Sequence, residues 1–361
     1  MSTTFCTTKL DDALKKAKEM SEKGHDILTS TRNFDFKCNG GIYLADKKNK
    51  LDHTRLNQHA IFQVCKMLKI PIQWVKAKQE LQDPGHLAES LNRHVKKLPS
   101  MGVLLRGWDM RGKDPFIRAV FPDNVAVLDI YDALKALKVK LGGRVTQWQY
   151  IIIGGFTLRA AGLLDNDKLA EKRGVYKKRL GEMFAGVQAS VSETGEFPIS
   201  GDVFVWRCIC ENGAVLQDQD LSYSLKRTEK EEGGLNKRFR DMLDDLRRKA
   251  TPAFARHVKR LSNLSMRPVG DNREKCIHVA AGNLVLPGKF REGILSAWQP
   301  KENSLFGLWN AITRHGQVLN QQGQFTGSYT LQKAAGRLAE SSPRFLDLLQ
   351  DASGLKASTN N

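Results

Sequence analysis

Nowhere in the 361 residues does the sequence approach the ~18 to 20 consecutive apolar residues that a bilayer-spanning helix requires, which excludes a membrane partner of that kind. The opening MSTTFCTTKLDDALKKAKEM lacks the apolar core of a secretory signal. Cysteine is sparse: six are scattered along the chain, too thinly for a disulfide scaffold. The expectation is a protein with reduced thiols in a cytoplasm. Cys208 and Cys210 form a C-x-C pair, but no second pair and no clustered histidines stand at zinc spacing. No metal is assigned, and the pair reads as small buried hydrophobes on one strand face beside Phe204 and Trp206. G-x-S-x-G, H-E-x-x-H and Walker motifs are all missing, and the eight histidines are dispersed. No catalytic residue and no cofactor is assigned, and the balance falls against an enzyme.

Acidic side chains are in short supply relative to basic ones. There are 39 Asp and Glu against 57 Lys and Arg, a net charge of +18 and a pI near 9.6. With 41% apolar and 27% charged residues the chain folds as a globular body. A basic excess of this size favours a polyanionic partner, most often nucleic acid. The plainer alternative is a solvated basic surface that serves solubility.

Apolar spacing divides the chain into a mostly helical part over 1–97, an α+β core over 98–225, a basic helical part over 226–351 and a disordered tail over 352–361. Helices are predicted over 9–23, 54–68, 72–81 and 86–95. Short strands follow at 101–108 and 116–121, then a helix over 129–141 with Asp129 as its cap. The run 150–158 reads as one strand with a bulge at Gly154-Gly155, and 166–183 as a helix. Phe184 to Leu216 reads as two strands joined by a polar connection. The second, Val203 to Cys210, is apolar on both faces except at Arg207, so it belongs at the centre of the fold, covered on both sides. Asn212-Gly213 then reads as a turn. The fold class is α+β, a central antiparallel or mixed sheet with an N-terminal helical part and a long basic helix.

That helix carries the strongest binding signal. Lys237, Arg238, Arg240, Arg247, Arg248, Lys249, Arg256, Lys259 and Arg260 fall largely off its apolar stripe, where phosphates could act as counter-charges. Asp241, Asp244 and Asp245 are interspersed, so a salt-bridged surface helix is the competing reading. Arg106, Arg118 and Arg207 interrupt apolar strands. If these strands share a sheet, the guanidinium groups converge, with Asn212, on a phosphate or on buried carboxylates. Trp108, Phe116, Trp148 and Tyr150 have the chemistry to stack on bases of a single strand, though core packing is the commoner role for such residues.

The segment SVSETG (Ser190 to Gly195) followed by FVWRCICENGAV (Phe204 to Val215) resembles a phage/plasmid-like domain-of-unknown-function family of prophages and mobile elements. The likeness is carried by the serine-rich acidic segment with its glycine, then an apolar strand running into Arg207, Cys210, Asn212 and Gly213. RAVFPDNVAVLD (Arg118 to Asp129) and SLFGLWNAITRHGQ (Ser304 to Gln317) are similar to two further elements of that family, so the likeness spans roughly 55–340. The basic 226–260 region lies outside it. The resemblance implies a bacteriophage or prophage setting and a cytoplasmic protein, and it supplies no activity. Together with the charge it leads to the expectation of a non-catalytic nucleic-acid-binding protein, single-stranded DNA being favoured, for annealing in recombination or replication and with homo-oligomers possible. Two rivals stand beside it. One is an enzyme on nucleic acid or nucleotide using Arg207, Glu193 and Asn212; the other is a host-takeover or structural protein that binds an acidic protein.

Overall fold

The computed structural model describes residues 4–39, 41–46, 48–49, 51–80, 84–110, 113–164, 183–207, 212–215, 221–227 and 234–355. Two sheets organise these residues into an α+β fold. The first sheet is antiparallel throughout. It runs in the order β1 (Phe5–Thr7), β8 (Val145–Gly154), β9 (Thr157–Leu164), β10 (Met183–Ser192), β11 (Ile199–Arg207) and β12 (Asn212–Val215), and β13 (Ser222–Leu225) also pairs with β11. The second is mixed, in the order β2 (Gly24–Ser30), β6 (Gly102–Met110), β7 (Lys113–Pro122), β5 (Leu51–Leu56), β4 (Ile42–Asp46) and β3 (Phe34–Cys38), with β5 and β7 parallel.

β11 is covered on both sides, as its composition requires. Val203 and Val205 enter the main core, where α1 (Leu10–Ser21), α5 (Ile130–Leu141) and α6 (Gly234–Ser265) form a helical layer. Phe204 points the other way, into a smaller cluster with Ala161, Leu163 and Tyr329 of α10 (Phe325–Ala339). α6 is one uninterrupted helix of 32 residues, about 48 Å long, with Pro252 inside it. Leu235, Phe239, Leu243, Leu246, Ala250, Phe254 and Leu261 bury its apolar stripe on both sides of the proline, and this burial keeps the helix continuous despite the missing N–H.

The first 97 residues differ from the helical expectation. They hold α1, α2 (Gln58–Met67), α3 (Ile72–Glu80) and α4 (Pro84–Lys97), but also β1 to β5, and the second sheet crosses the expected boundary at residue 97. In FDFKC and IYLAD only Phe34, Phe36, Ile42 and Leu44 are buried apolar, alternating with polar or half-buried neighbours. Runs of five residues give too few repeats for the period-two signal to stand out from a polar loop. These four pack with Val64 of α2, Leu68 just after it, and Leu87 and Leu91 of α4. Asn92 of α4 donates to and accepts from the Phe36 main chain at 2.8 Å each, which closes the β3 edge.

Two turns also differ. The 150–158 run belongs to two strands, because Gly155 (φ 57°) and Phe156 (φ 69°) form the positive-φ pair of a hairpin turn. Asn212 and Gly213 lie in β12, paired with Arg207 and Trp206. The helix expected over 166–183 and the Cys208–Cys210 pair fall outside the described residues, apart from Met183 in β10; so does 356–361 of the tail expected over 352–361, whereas Ala352 ends a helix and Ser353 is buried, accepting the Gly270 N–H at 2.8 Å. Among the described residues no helix is long and apolar enough to cross a membrane.

Downstream of α6 come α7 (Arg273–Asn283), α8 (Arg291–Ala297), α9 (Leu305–Gln321), α10 and α11 (Pro343–Ala352). Val285, just past α7, has φ 54° and is 67% exposed. A β-branched residue in the left-handed region costs about 1–2 kcal/mol, which glycine does not incur. Val285→Gly is expected to raise stability by about 1 kcal/mol in urea unfolding. A loss instead would mean that the valine side chain makes a contact worth more than the strain.

Candidate functional site

α6 carries nine cations against three carboxylates, and its packing sorts them. Arg247 reaches Asp244 at 3.6 Å, Arg248 reaches Asp245 at 2.6 Å, and Lys249 reaches Asp245 at 2.8 Å and the Tyr223 hydroxyl at 2.9 Å. The Lys249 hydrogen bond leads the contacts that hold the Asp245 carboxyl below its ordinary range. Arg260 pairs with Glu340 at the end of α10. Arg238 is half-buried and Arg256 exposed. Lys237, Arg240 and Lys259 are exposed and make no ion pair with a described residue. They share the outward side of the helix over about 33 Å. The salt-bridged reading therefore holds for the middle of the helix, and the phosphate-facing reading keeps these three. On the neighbouring helices Lys15, Lys18, Lys135 and Lys138 are exposed, Lys138 against Asp11 at 2.8 Å and Lys135 against Asp132 at 3.0 Å.

The arginines proposed to converge do so in part. Arg106 and Arg118 sit on adjacent strands of the second sheet, whereas Arg207 ends β11 of the first, so the three do not share a sheet. The Arg207 side chain lies outside the described residues; its main chain pairs with Asn212. The partners of Arg106 and Arg118 are carboxylates. Arg106, 2% exposed, donates to Asp26 at 3.0 Å, to Asp129 at 2.5 Å and to the Glu193 carbonyl at 3.2 Å. Arg118 donates to the Glu193 carboxylate, whose other oxygen accepts the Ile130 N–H at 2.8 Å.

Glu193 thus caps α5 from a distant turn, while Asp129, the expected cap, is turned to Arg106 and makes no side-chain cap bond. Burial raises the Glu193 carboxyl above its ordinary range, with the Arg118 guanidinium pulling against it. Burial likewise lowers Arg118, whereas at Arg106 burial is outweighed by Asp129 and Asp26 and the net shift is upward.

The turn that carries Glu193 fastens the two sheets together. The Thr194 carbonyl accepts from His59 and from Gln63 of α2, each at 2.8 Å, and Gln63 in turn accepts the Val120 N–H at 2.8 Å. The Glu193 N–H donates to the Phe156 carbonyl at 2.9 Å. The Phe156 ring lies 4.8 Å from Trp108, and the Arg118 guanidinium stacks over both rings at 5.3 and 5.0 Å. This explains why a non-glycine holds positive φ at that turn. Arg227 donates to the Ser192 carbonyl beside Phe121, and burial lowers its pKa to about 10. The motif singled out as SVSETG is therefore a buried ion-paired junction. Glu193, 5% exposed, is taken up by Arg118 and a helix N-terminus rather than presented to a substrate.

A second polar cluster was missed. Asp202, just before the apolar run that starts at Val203, is 2% exposed and accepts from Tyr329 at 2.7 Å, from Gln188 at 3.4 Å and from Ser222. Tyr150 donates to Gln188 at 3.3 Å, and burial raises its hydroxyl to about 12. The adjoining cavity of about 20 Å³ has room for one or two waters, far below the size of a ligand pocket. Of the four aromatics considered for stacking, Trp108 and Trp148 are buried, Tyr150 closes this cluster, and Phe116 is half-buried against Phe156. Core packing accounts for the first three. Comparison with protein-family models, curated proteins and solved structures finds no match to the chain.

Proposed function

We propose that the protein binds nucleic acid through the phosphate backbone, independently of sequence and without catalysis, on the outward side of α6 and the helical layer around it. The observation that carries this reading is the set Lys237, Arg240 and Lys259: exposed, without ion pairs to described residues, and spread over about 33 Å of one helix. An exposed ammonium or guanidinium with no counter-charge is where a phosphate releases condensed counterions most favourably. The surplus of +18 adds a longer-range attraction. Likeness to the phage and mobile-element family would put this binding in DNA recombination or replication.

The test is a fluorescence-anisotropy titration at several salt concentrations with labelled duplex and single-stranded DNA. Affinity is expected to fall steeply with salt. The triple variant Lys237→Ala, Arg240→Ala, Lys259→Ala is expected to flatten the duplex log K against log salt slope by about 2.7, from about 0.9 per lost phosphate contact. An unchanged slope would remove α6 from the footprint, and an absence of binding to any nucleic acid at low salt would end the reading.

A further inference from the structure

The second sheet has a face whose two halves differ. Over β6 and β7 that face is covered by the junction: Arg106 and Arg118 lie under Glu193, and Trp108 under Phe156. Over β3, β4 and β5 it presents exposed side chains, Lys37 and Arg55. One cross-strand row runs through both halves in register: Lys37 opposite Tyr43, Tyr43 opposite Arg55, Arg55 beside Phe116, and Phe116 opposite Trp108. From Lys37 to Phe116 cation and aromatic alternate along it. Lys37 and Arg55 are exposed, Tyr43 and Phe116 half-buried. With strands about 4.8 Å apart, the stretch from Lys37 to Phe116 spans about 14 Å.

From this row we infer a binding surface for a short single-stranded segment of nucleic acid, with Tyr43 as the stacking platform and Lys37 and Arg55 as its phosphate contacts. The inference rests on the reading of the protein as a nucleic-acid binder and names the form of nucleic acid that this second surface takes. Three observations favour it. A tyrosine between two exposed cations in one cross-strand row offers a base one surface and its flanking phosphates two charges, which is what sequence-tolerant single-strand binding requires. A duplex hides its base faces and has no use for Tyr43. Neither flanking charge is spent on a carboxylate: Lys37 donates to His53 at 2.7 Å, and Arg55 makes no ion pair with a described residue. Asp35, opposite Ala45, is the acidic group on the same face of β3, and it is half-buried.

The experiment compares the full-length protein with Tyr43→Ala and Tyr43→Phe, using a labelled oligothymidylate and a duplex of matched length. Stacking on one aromatic is worth about 1–3 kcal/mol, so Tyr43→Ala is expected to weaken single-strand binding by at least about five-fold. Duplex affinity and the melting curve should stay as in the parent, and Tyr43→Phe should restore single-strand binding. If Tyr43→Ala leaves single-strand affinity unchanged, or weakens duplex equally, the sheet surface is overturned. In that case a duplex salt slope that still responds to the α6 triple variant leaves the helix reading standing. Failure of the parent protein to bind either probe overturns both.

Discussion

A Glu193→Gln protein is expected to unfold at lower urea, with a loss of about 1–3 kcal/mol in unfolding free energy. Glutamine keeps an acceptor for the Ile130 N–H but brings no charge, so Arg118 stays buried, 3% exposed, against a neutral amide. Glu193 accepts from two buried donors with its two oxygens, and an amide has only one oxygen to offer, so one N–H is left facing the amide NH2. The same substitution weakens the cap on α5, since a carboxylate at a helix N-terminus also interacts with the helix dipole. Replacing both partners, Glu193→Leu with Arg118→Met, is expected to recover most of the loss. A single variant as stable as the parent, or a double variant worse than either single, would mean that the junction is not held by this pair. The prediction bears on function as well. The junction covers one half of a face of the second sheet, and the other half carries Lys37, Tyr43 and Arg55.

The second large effect is a dependence on pH. His257 lies on the buried side of α6, 1% exposed, with neither ring nitrogen in a hydrogen bond. Burial, with a further push from Arg260, depresses its pKa to about 3. Glu340 lies 3.6 Å from Nδ1, but its carboxylate is already paired with Arg260, and this limits what it can offer an imidazolium. The folded state therefore keeps His257 neutral where the unfolded chain, with an ordinary value near 6.5, takes up a proton. This contribution is fully present above pH 6.5 and is lost as pH falls from there towards 3. The slope approaches 1.36 kcal/mol per pH unit, or about 4–5 kcal/mol in all. His257→Leu should remove that slope and leave stability at neutral pH near or above the parent, because two unsatisfied nitrogens are replaced by methyl groups. Urea unfolding at pH 7, 6 and 5 measures both. If the parent and variant curves stay parallel, His257 is protonated in the fold and the assignment is wrong.

Several elements could be read from the chain because their signals are local. α6 was visible from an apolar stripe repeated over many turns, and the β10–β11 hairpin from two apolar runs around a polar connection. β3 and β4 were not legible, since five residues carry barely two repeats of their period. Of the candidate residues, the α6 cations were legible as a group. Which of them remain unpaired depended on where Glu340 and Tyr223 come to rest, on other elements.

By itself, then, the sequence determined the excess of positive charge, the α+β class, the double-sided burial of β11 and the course of the long basic helix. Each of these is a property of composition or of neighbours within a few residues. Only the tertiary structure decided that Arg118 meets a carboxylate 75 residues away, that Glu193 and not Asp129 caps α5, and that Lys37, Tyr43, Arg55 and Phe116 stand in one row. A buried charge states in sequence that it needs a partner. Which partner it finds is set by the packing of two sheets, through contacts that no spacing along the chain encodes.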